Sequence, residues 1–313
     1  MGKMKINHLD LFSGVGGFSL ALQKTIGEEN IGWVGFSDID KYANQVFKRR
    51  FKNAEGLGSV VDINPDRLPR IDLITFGFPC QDLSIAGRRK GFKGERSSLF
   101  YEATRIIRAT KPKYFIFENV KGTFSSNKGE DFTLILQEIA DLGYDGQWQL
   151  LNTRWFLPQN RERVYFVGHI RGECRPEVFP IGETSDKSNN RNSKIENCLQ
   201  HPGHSRGNYK GMTMIADYRN DEGLRIRKNG ISPCLPTRRH SETDISTMPP
   251  LIVKEATKKD IRRLTPTECE RLQGFPDGWT EGQSDTQRYK QMGNAITVDV
   301  AEAIFTKLYK EII

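Results

Sequence analysis

Three chemically capable groups stand at the ends of apolar runs in this chain. Cys80 lies in Gly77-Phe78-Pro79-Cys80-Gln81-Asp82-Leu83-Ser84, directly after the run Ile71 to Phe76. A buried cysteine ordinarily acts as a small hydrophobe. A nucleophile needs a partly exposed, electropositive position that favours the thiolate. Arg88, Arg89, Lys90, Lys93 and Arg96 crowd the segment that follows. Glu118 closes the apolar run Tyr114 to Phe117, where a charge needs a partner or a raised pKa. Taken alone, it fits a helix cap equally well. Gln159, Arg161 and Arg163 precede the apolar segment Val164 to Val167, although surface arginines are usually only solvated. Together these place a thiol, an acid and a pair of arginines on neighbouring strand ends.

A second constellation lies earlier. LDLFSGVGGFSLAL, residues 9–22, reads as a strand, a glycine turn and a helix start, so the backbone can approach a ligand without Cβ clashes. Asp38 ends the next strand candidate, where Rossmann-like folds place an acid on ribose hydroxyls. Asp62, after the short segment SVVDI, is a further acid at the same edge. Each acid alone could simply cap a helix. Jointly they outline a nucleoside pocket, toward which the fourth and fifth strands would deliver Cys80 and Glu118.

The elements that must position these groups follow from periodicity. INHLDLF, WVGFSD, IDLITF, YFIFEN and RVYFVGHI read as strands. SSLFYEATRIIRAT reads as a helix with Leu99, Ala103, Ile106 and Ile107 on one face, stopped by Pro112. DFTLILQEIADLG is another, with Gly143 at its C-terminal end. Strands alternating with helices predict an α/β fold with a doubly wound, mainly parallel, Rossmann-like sheet over residues 1–172. From residue 173 to about 260 the composition turns Gly, Asn, Arg and Pro rich, with strand candidates only in LRIRKNGISPCL and PPLIV. This predicts a second, smaller, irregular, β-rich domain. Residues 261–313 restore order. Thr265, Pro266 and Glu268 form a capping box, and Val298, Ala301, Phe305 and Leu308 share a helical face, so this segment is expected to rejoin the first domain.

The charge balance, 47 Lys and Arg against 39 Asp and Glu in 313 residues, gives a formal +8 and favours polyanionic partners. The five cysteines are odd in number and lack a CxxC pair, which argues against a disulfide scaffold and for a reducing cytosol. No signal peptide and no membrane-length apolar run is visible, so a cytoplasmic protein without membrane association is expected. Cys198, His201 and His204 invite a metal reading, but no second ligand pair with finger-like spacing follows, and no metal is expected.

Six ordered blocks carry a resemblance. DLFSGVGGFS, GFPCQDLS, FENV, QNRERVYFVG, RRLTPTECERLQGFPDGW and QMGNAI resemble those of the cytosine carbon-5 DNA methyltransferases, over residues 5–170 and 262–310. The unmatched stretch falls where that family keeps its variable target recognition domain. The resemblance implies methyl transfer from S-adenosylmethionine, with S-adenosylhomocysteine as product, to carbon 5 of cytosine in double-stranded DNA. It implies catalytic roles for Cys80 as nucleophile, Glu118 as the acid at ring nitrogen 3 and Arg163 at the base carbonyl, with Arg161 and Gln159 in support and Asn119 orienting the site. The implied cofactor-binding set is Phe12, Gly14, Gly16, Gly17, Phe18, Asp38, Ile39, Asp62, Ile63, Pro79 and Asn294. Ile39 departs from the family pattern, which often has tryptophan there, so stacking on that side is expected to be aliphatic. DNA contacts are expected from Ser84, Arg88, Arg89, Lys90, Lys93, Arg96 and Arg238. Cys234 stands where threonine is frequent and is expected to pack; Cys174, Cys198 and Cys269 are expected to be inert. A monomer is expected, and the resemblance leaves room for a separately acting cognate restriction endonuclease. Two other readings compete. One is methylation of RNA, against which Phe78-Pro79 before the thiol argues; the other is a DNA-binding regulator without catalysis.

Overall fold

The computed structural model describes residues 5–79, 98–173, 176–182, 213–219, 223–227, 231–235, 250–254 and 261–309. Cys80, Ser84, the basic residues 88–96 and Arg238 lie outside them, as do Cys174, Cys198, His201 and His204.

The chain divides into two compact units, residues 1–151, 162–181 and 300–313 in the first, and 152–161 and 182–299 in the second. The first is built on a seven-stranded sheet in the order β3-β2-β1-β4-β5-β7-β6. These are β1 (Ile6–Leu11), β2 (Ile31–Ser37), β3 (Glu55–Gly56), β4 (Leu73–Phe76), β5 (Tyr114–Val120), β6 (Tyr144–Asn152) and β7 (Glu162–Ile170). Strands β1 to β5 run parallel where paired, and β7 lies antiparallel to β5, with Glu118 opposite Tyr165 and Val120 opposite Arg163. The order reverses between β1 and β4, so the carboxyl ends of those strands flank a topological switch point, the habitual ligand crevice of such sheets.

Helices α1 (Gly17–Ile26), α2 (Lys41–Arg50), α3 (Ser98–Thr110) and α4 (Glu130–Asp141) connect the strands. Ala103, Ile106 and Ile107 of α3 are buried as its periodicity predicts, packed in one core with Phe76, Phe78, Phe115, Phe117 and Phe166. Gly143 follows α4 at φ 84 and donates its N–H to the Ala140 carbonyl, the left-handed ending expected of a glycine there.

The second unit contains a four-stranded antiparallel sheet, β11-β10-β8-β9, formed by β8 (Thr213–Arg219), β9 (Gly223–Arg227), β10 (Leu251–Lys254) and β11 (Ile261–Arg263). It also holds α5 (Pro266–Leu272) and α6 (Asp285–Asn294). The capping box is formed: Thr265 Oγ1 accepts from Glu268 N at 3.2 Å and Glu268 Oε2 accepts from Thr265 N at 2.7 Å. Helix α7 (Val298–Tyr309) buries Val298, Ala301, Phe305 and Leu308 on one face. The units divide differently from the boundaries read in the sequence: residues 300–313 group with the first unit, whereas 261–299 group with the second. Composition marks where regular structure resumes and carries no signal for which unit it joins.

Candidate active site

The carboxyl end of β1 leads into the glycine turn. Phe12 has φ 51, and Gly14, at φ 53, has open space where a Cβ would project. Gly16 is glycine for another reason: at φ 87, a Cβ there would come within 2.6 Å of the Phe51 ring. Of the two, Gly14 alone offers bare backbone to a ligand. The turn is lashed to the end of β2, since Ser13 N donates to Ser37 O at 3.1 Å and Gly14 N donates to Asp38 Oδ2 at 2.8 Å.

Asp38 is fixed on its other oxygen by Asp40 N, at 2.8 Å, and Asp40 in turn caps α2. Burial raises the Asp38 pKa, and the backbone N–H groups of Asp40 and Gly14 act against that shift. A carboxylate held this way keeps accepting capacity for hydroxyl donors. Ile39, next in sequence, is 86% exposed, a large apolar side chain presented to solvent beside a fixed acid. Val61 is likewise exposed beside the exposed Asp62. An apolar face, an acid and an open glycine are what a nucleoside requires, so these residues fit one.

Phe18 is buried, edge-on to Phe305 at 6.4 Å between centroids, and Ile63 packs in the core. Gly17 is buried in the first turn of α1. Arg105 of α3, which local sequence does not single out, braces the segment carrying Asp62 by donating to the Ile63 and Val60 carbonyls at 3.1 and 3.2 Å.

The catalytic candidates meet at the ends of β4, β5 and β7. Arg163 Nε lies 2.9 Å from Glu118 Oε1, both side chains largely shielded from water. A Cβ on Gly77 would sit 3.7 Å from Glu118 Oε2, so the carboxylate rides over the segment that leads to Cys80. Asn119 is buried and donates from Nδ2 to the Phe78 carbonyl at 3.4 Å, while its Oδ1 accepts from Val120 N and Thr123 Oγ1. Phe78 is wedged among Phe76, Phe100 and Phe117. Pro79, by contrast, is exposed. The backbone is therefore pinned one residue before Pro79 and emerges there.

Gln159 and Arg161 belong to the second unit's own framework. Gln159 is buried and donates to Leu272 O at 3.3 Å, and Arg161 donates to the carbonyls of Gly293 and Ala295. Asn294, between those two, is exposed. Cys269 is fully buried with its thiol pKa pushed up by burial, as an inert cysteine should be. Cys234 is exposed, contrary to the packing expected of it, and its sulfur accepts from Arg161 Nη1 at 3.2 Å. Among the described residues no cluster of metal-binding side chains occurs, and no helix is long and apolar enough to cross a membrane.

The sheet is doubly wound, with Gly14 and Asp38 beyond the carboxyl ends of β1 and β2 and the Glu118–Arg163 pair on β5 and β7. Comparison with known proteins gives the class. The family model described as C-5 cytosine-specific DNA methylase matches residues 6–310. The type II methyltransferase M1.ScrFI of Lactococcus lactis subsp. cremoris is 34% identical, over 97% of this chain and 78% of its own. The type II methyltransferase M.NlaX of Neisseria lactamica is 33% identical, over 95% of this chain and 94% of its own. The crystal structure of the S. pombe Dnmt2 methyltransferase shares the fold, with a TM-score of 0.67 at 18% identity over 98% of this chain and 99% of that one. The chain belongs to the C-5 cytosine-specific DNA methylases and is a DNA (cytosine-5-)-methyltransferase.

Proposed function

We propose that this enzyme methylates carbon 5 of a cytosine within one double-stranded DNA sequence by turning the base out of the helix and adding the Cys80 thiolate to carbon 6. The Glu118–Arg163 pair over the pinned Gly77–Pro79 segment carries this reading. Carbon 5 of cytosine is a weak nucleophile, and thiolate addition at carbon 6 converts the ring to an enamine that is a strong one. Glu118 hydrogen-bonds ring nitrogen 3 and the exocyclic amine, which stabilises the charge that develops as sulfur adds. Arg163 orients Glu118 and reaches the base carbonyl. Asn119, through Phe78, fixes the strand end from which Cys80 extends.

Bound S-adenosylmethionine supplies the electrophilic methyl group. Gly14, Asp38, Ile39 and Asp62 hold its nucleoside: Asp38 accepts from the ribose hydroxyls, Ile39 covers an adenine face and Asp62 meets the adenine amine. Loss of the carbon-5 proton to a base then expels Cys80. Carbons 5 and 6 are shielded by stacking within a duplex, so extrusion costs a few kcal/mol. Arg88, Arg89, Lys90, Lys93 and Arg96, close to Cys80 in sequence, supply phosphate contacts toward that cost. The enzyme acts as a monomer in the cytoplasm, and any cognate endonuclease is a separate protein. Bisulfite sequencing of DNA from a host expressing the chain tests the whole reading. One short methylated motif is expected, and genome-wide absence of new 5-methylcytosine would contradict it.

A further inference from the structure

Thr123 is buried in the short helical turn Lys121–Phe124 that follows β5, and its hydroxyl serves another side chain. Thr123 Oγ1 donates to Asn119 Oδ1 at 3.2 Å, and Val120 N donates to the same oxygen at 2.7 Å. Two donors at one end of an amide decide which end is the oxygen, so the Asn119 amino group must turn the other way. It turns to the Phe78 carbonyl, to which Nδ2 donates at 3.4 Å. Asn119 and Phe78 are buried as well, which strengthens these bonds and makes an unpaired group there costly.

Covalent geometry carries the effect onward. The Phe78 carbonyl belongs to the planar peptide joining Phe78 to Pro79, so holding its oxygen holds that whole plane. The pyrrolidine ring then fixes φ of Pro79, and ψ of Pro79 is the remaining soft torsion before the Cys80 nitrogen. The Phe78 ring, wedged among Phe76, Phe100 and Phe117, anchors the same residue from its other side.

We infer that Thr123 is a positioning residue for the nucleophile: its hydroxyl sets the orientation of the Asn119 amide, and the amide sets the peptide plane from which Cys80 extends. The inference rests on the proposal that Cys80 is the nucleophile. Phe78, Asn119 and Thr123 all lie within the first unit. Threonine serves here through its donor and not its shape, since valine would fill a similar space and leave Asn119 Oδ1 with the Val120 N–H alone.

Thr123→Val and Thr123→Ser in the full chain, assayed on a duplex carrying the motif found by bisulfite sequencing, test this. Thr123→Val is expected to slow single-turnover methyl transfer by about tenfold, the scale of a buried hydrogen bond lost. The covalent adduct with a duplex bearing 5-fluorocytosine, from which the thiol cannot be released, should accumulate more slowly by the same factor. Affinities for S-adenosylmethionine and for the duplex should stay at the parent's values. Thr123→Ser, which keeps the donor, should restore the rate. In a double-mutant cycle, Thr123→Val should add no further loss to Asn119→Ala, because both act through one carbonyl. A parental rate in Thr123→Val, equal slowing in Thr123→Ser, losses that multiply with Asn119→Ala, or a fall in cofactor and DNA affinity matching the fall in rate would each overturn the inference. If Cys80→Ser methylates like the parent, the nucleophile assignment fails and takes the inference with it. If Cys80→Ser is inactive while Thr123→Val keeps the parental rate, the inference alone fails. Should Thr123→Val not fold, Thr123→Ala is held to the same outcomes.

Discussion

Glu118 and Arg163 were legible as residues and not as a pair. Nothing in the local sequence joins positions 118 and 163. The antiparallel register of β5 and β7 does so, because Glu118 faces Tyr165 and its diagonal same-face neighbour is Arg163. That geometry sets a prediction: Glu118→Gln keeps shape but loses the proton-bearing acid, and single-turnover methylation should slow by about 10²- to 10⁴-fold. A rate near that of the parent would remove Glu118 from its role. Ile39 supports a second test. It is exposed beside Asp38, the proposed ribose ligand, so Ile39→Trp should add ring stacking on adenine worth about 1 kcal/mol, roughly a fivefold tighter cofactor by calorimetry. Unchanged or weaker affinity would place the adenine elsewhere. Phe18 also meets Phe305 edge-on, a contact between residues far apart in sequence that residue-level reading does not show.

At the level of elements, strands marked by an apolar run or an apolar–polar alternation were readable and β6 was not. Strand β6, Tyr144–Asn152, carries glycine and two glutamines and buries only alternate stretches, so it gives no apolar run to detect. Its place in the sheet comes from tertiary pairing that local pattern does not encode. A second feature invisible in sequence lies under the glycine turn. Ser19 of α1 and Thr75 of β4 donate to the two oxygens of buried Asp10 at 2.8 and 2.9 Å, and His8 Nε2 donates to Thr75 Oγ1 at 2.7 Å. Burial raises the Asp10 pKa from 3.8 to about 7 and lowers that of His8 from 6.5 to about 3. As pH rises from 3.8 toward 7 the unfolded chain releases the Asp10 proton first, so stability falls. As pH drops below 6.5 the unfolded chain binds a proton that folded His8 refuses, so stability falls in the other direction. The two slopes oppose between 3.8 and 6.5. Asp10→Asn should therefore give stability that rises with pH across that window, and His8→Gln stability that falls, each by at most about 1.4 kcal/mol per pH unit. Urea midpoints at several pH values check this; profiles parallel to the parent's in both variants would contradict it.

At the scale of the whole molecule, the composition changes near residue 173, and a Gly, Asn and Arg rich stretch does not sustain the alternating strands and helices of a doubly wound sheet. The four-stranded antiparallel sheet of the second unit was only half visible, through β9 and β10. Residues 261–299 group with that unit, to which Gln159 Nε2 donating to Leu272 O ties them, a pairing no local pattern announces. The chain must bring one thiol, that of Cys80, to one extruded base. Fluorine at carbon 5 cannot leave as a cation, so release of Cys80 is blocked once methyl transfer has occurred. A duplex carrying 5-fluorocytosine at the methylated motif should therefore, with S-adenosylmethionine, accumulate a protein–DNA adduct that survives denaturing electrophoresis and maps by peptide analysis to Cys80. No adduct on a motif shown to be methylated, or an adduct on Cys234 or Cys269, would contradict the account.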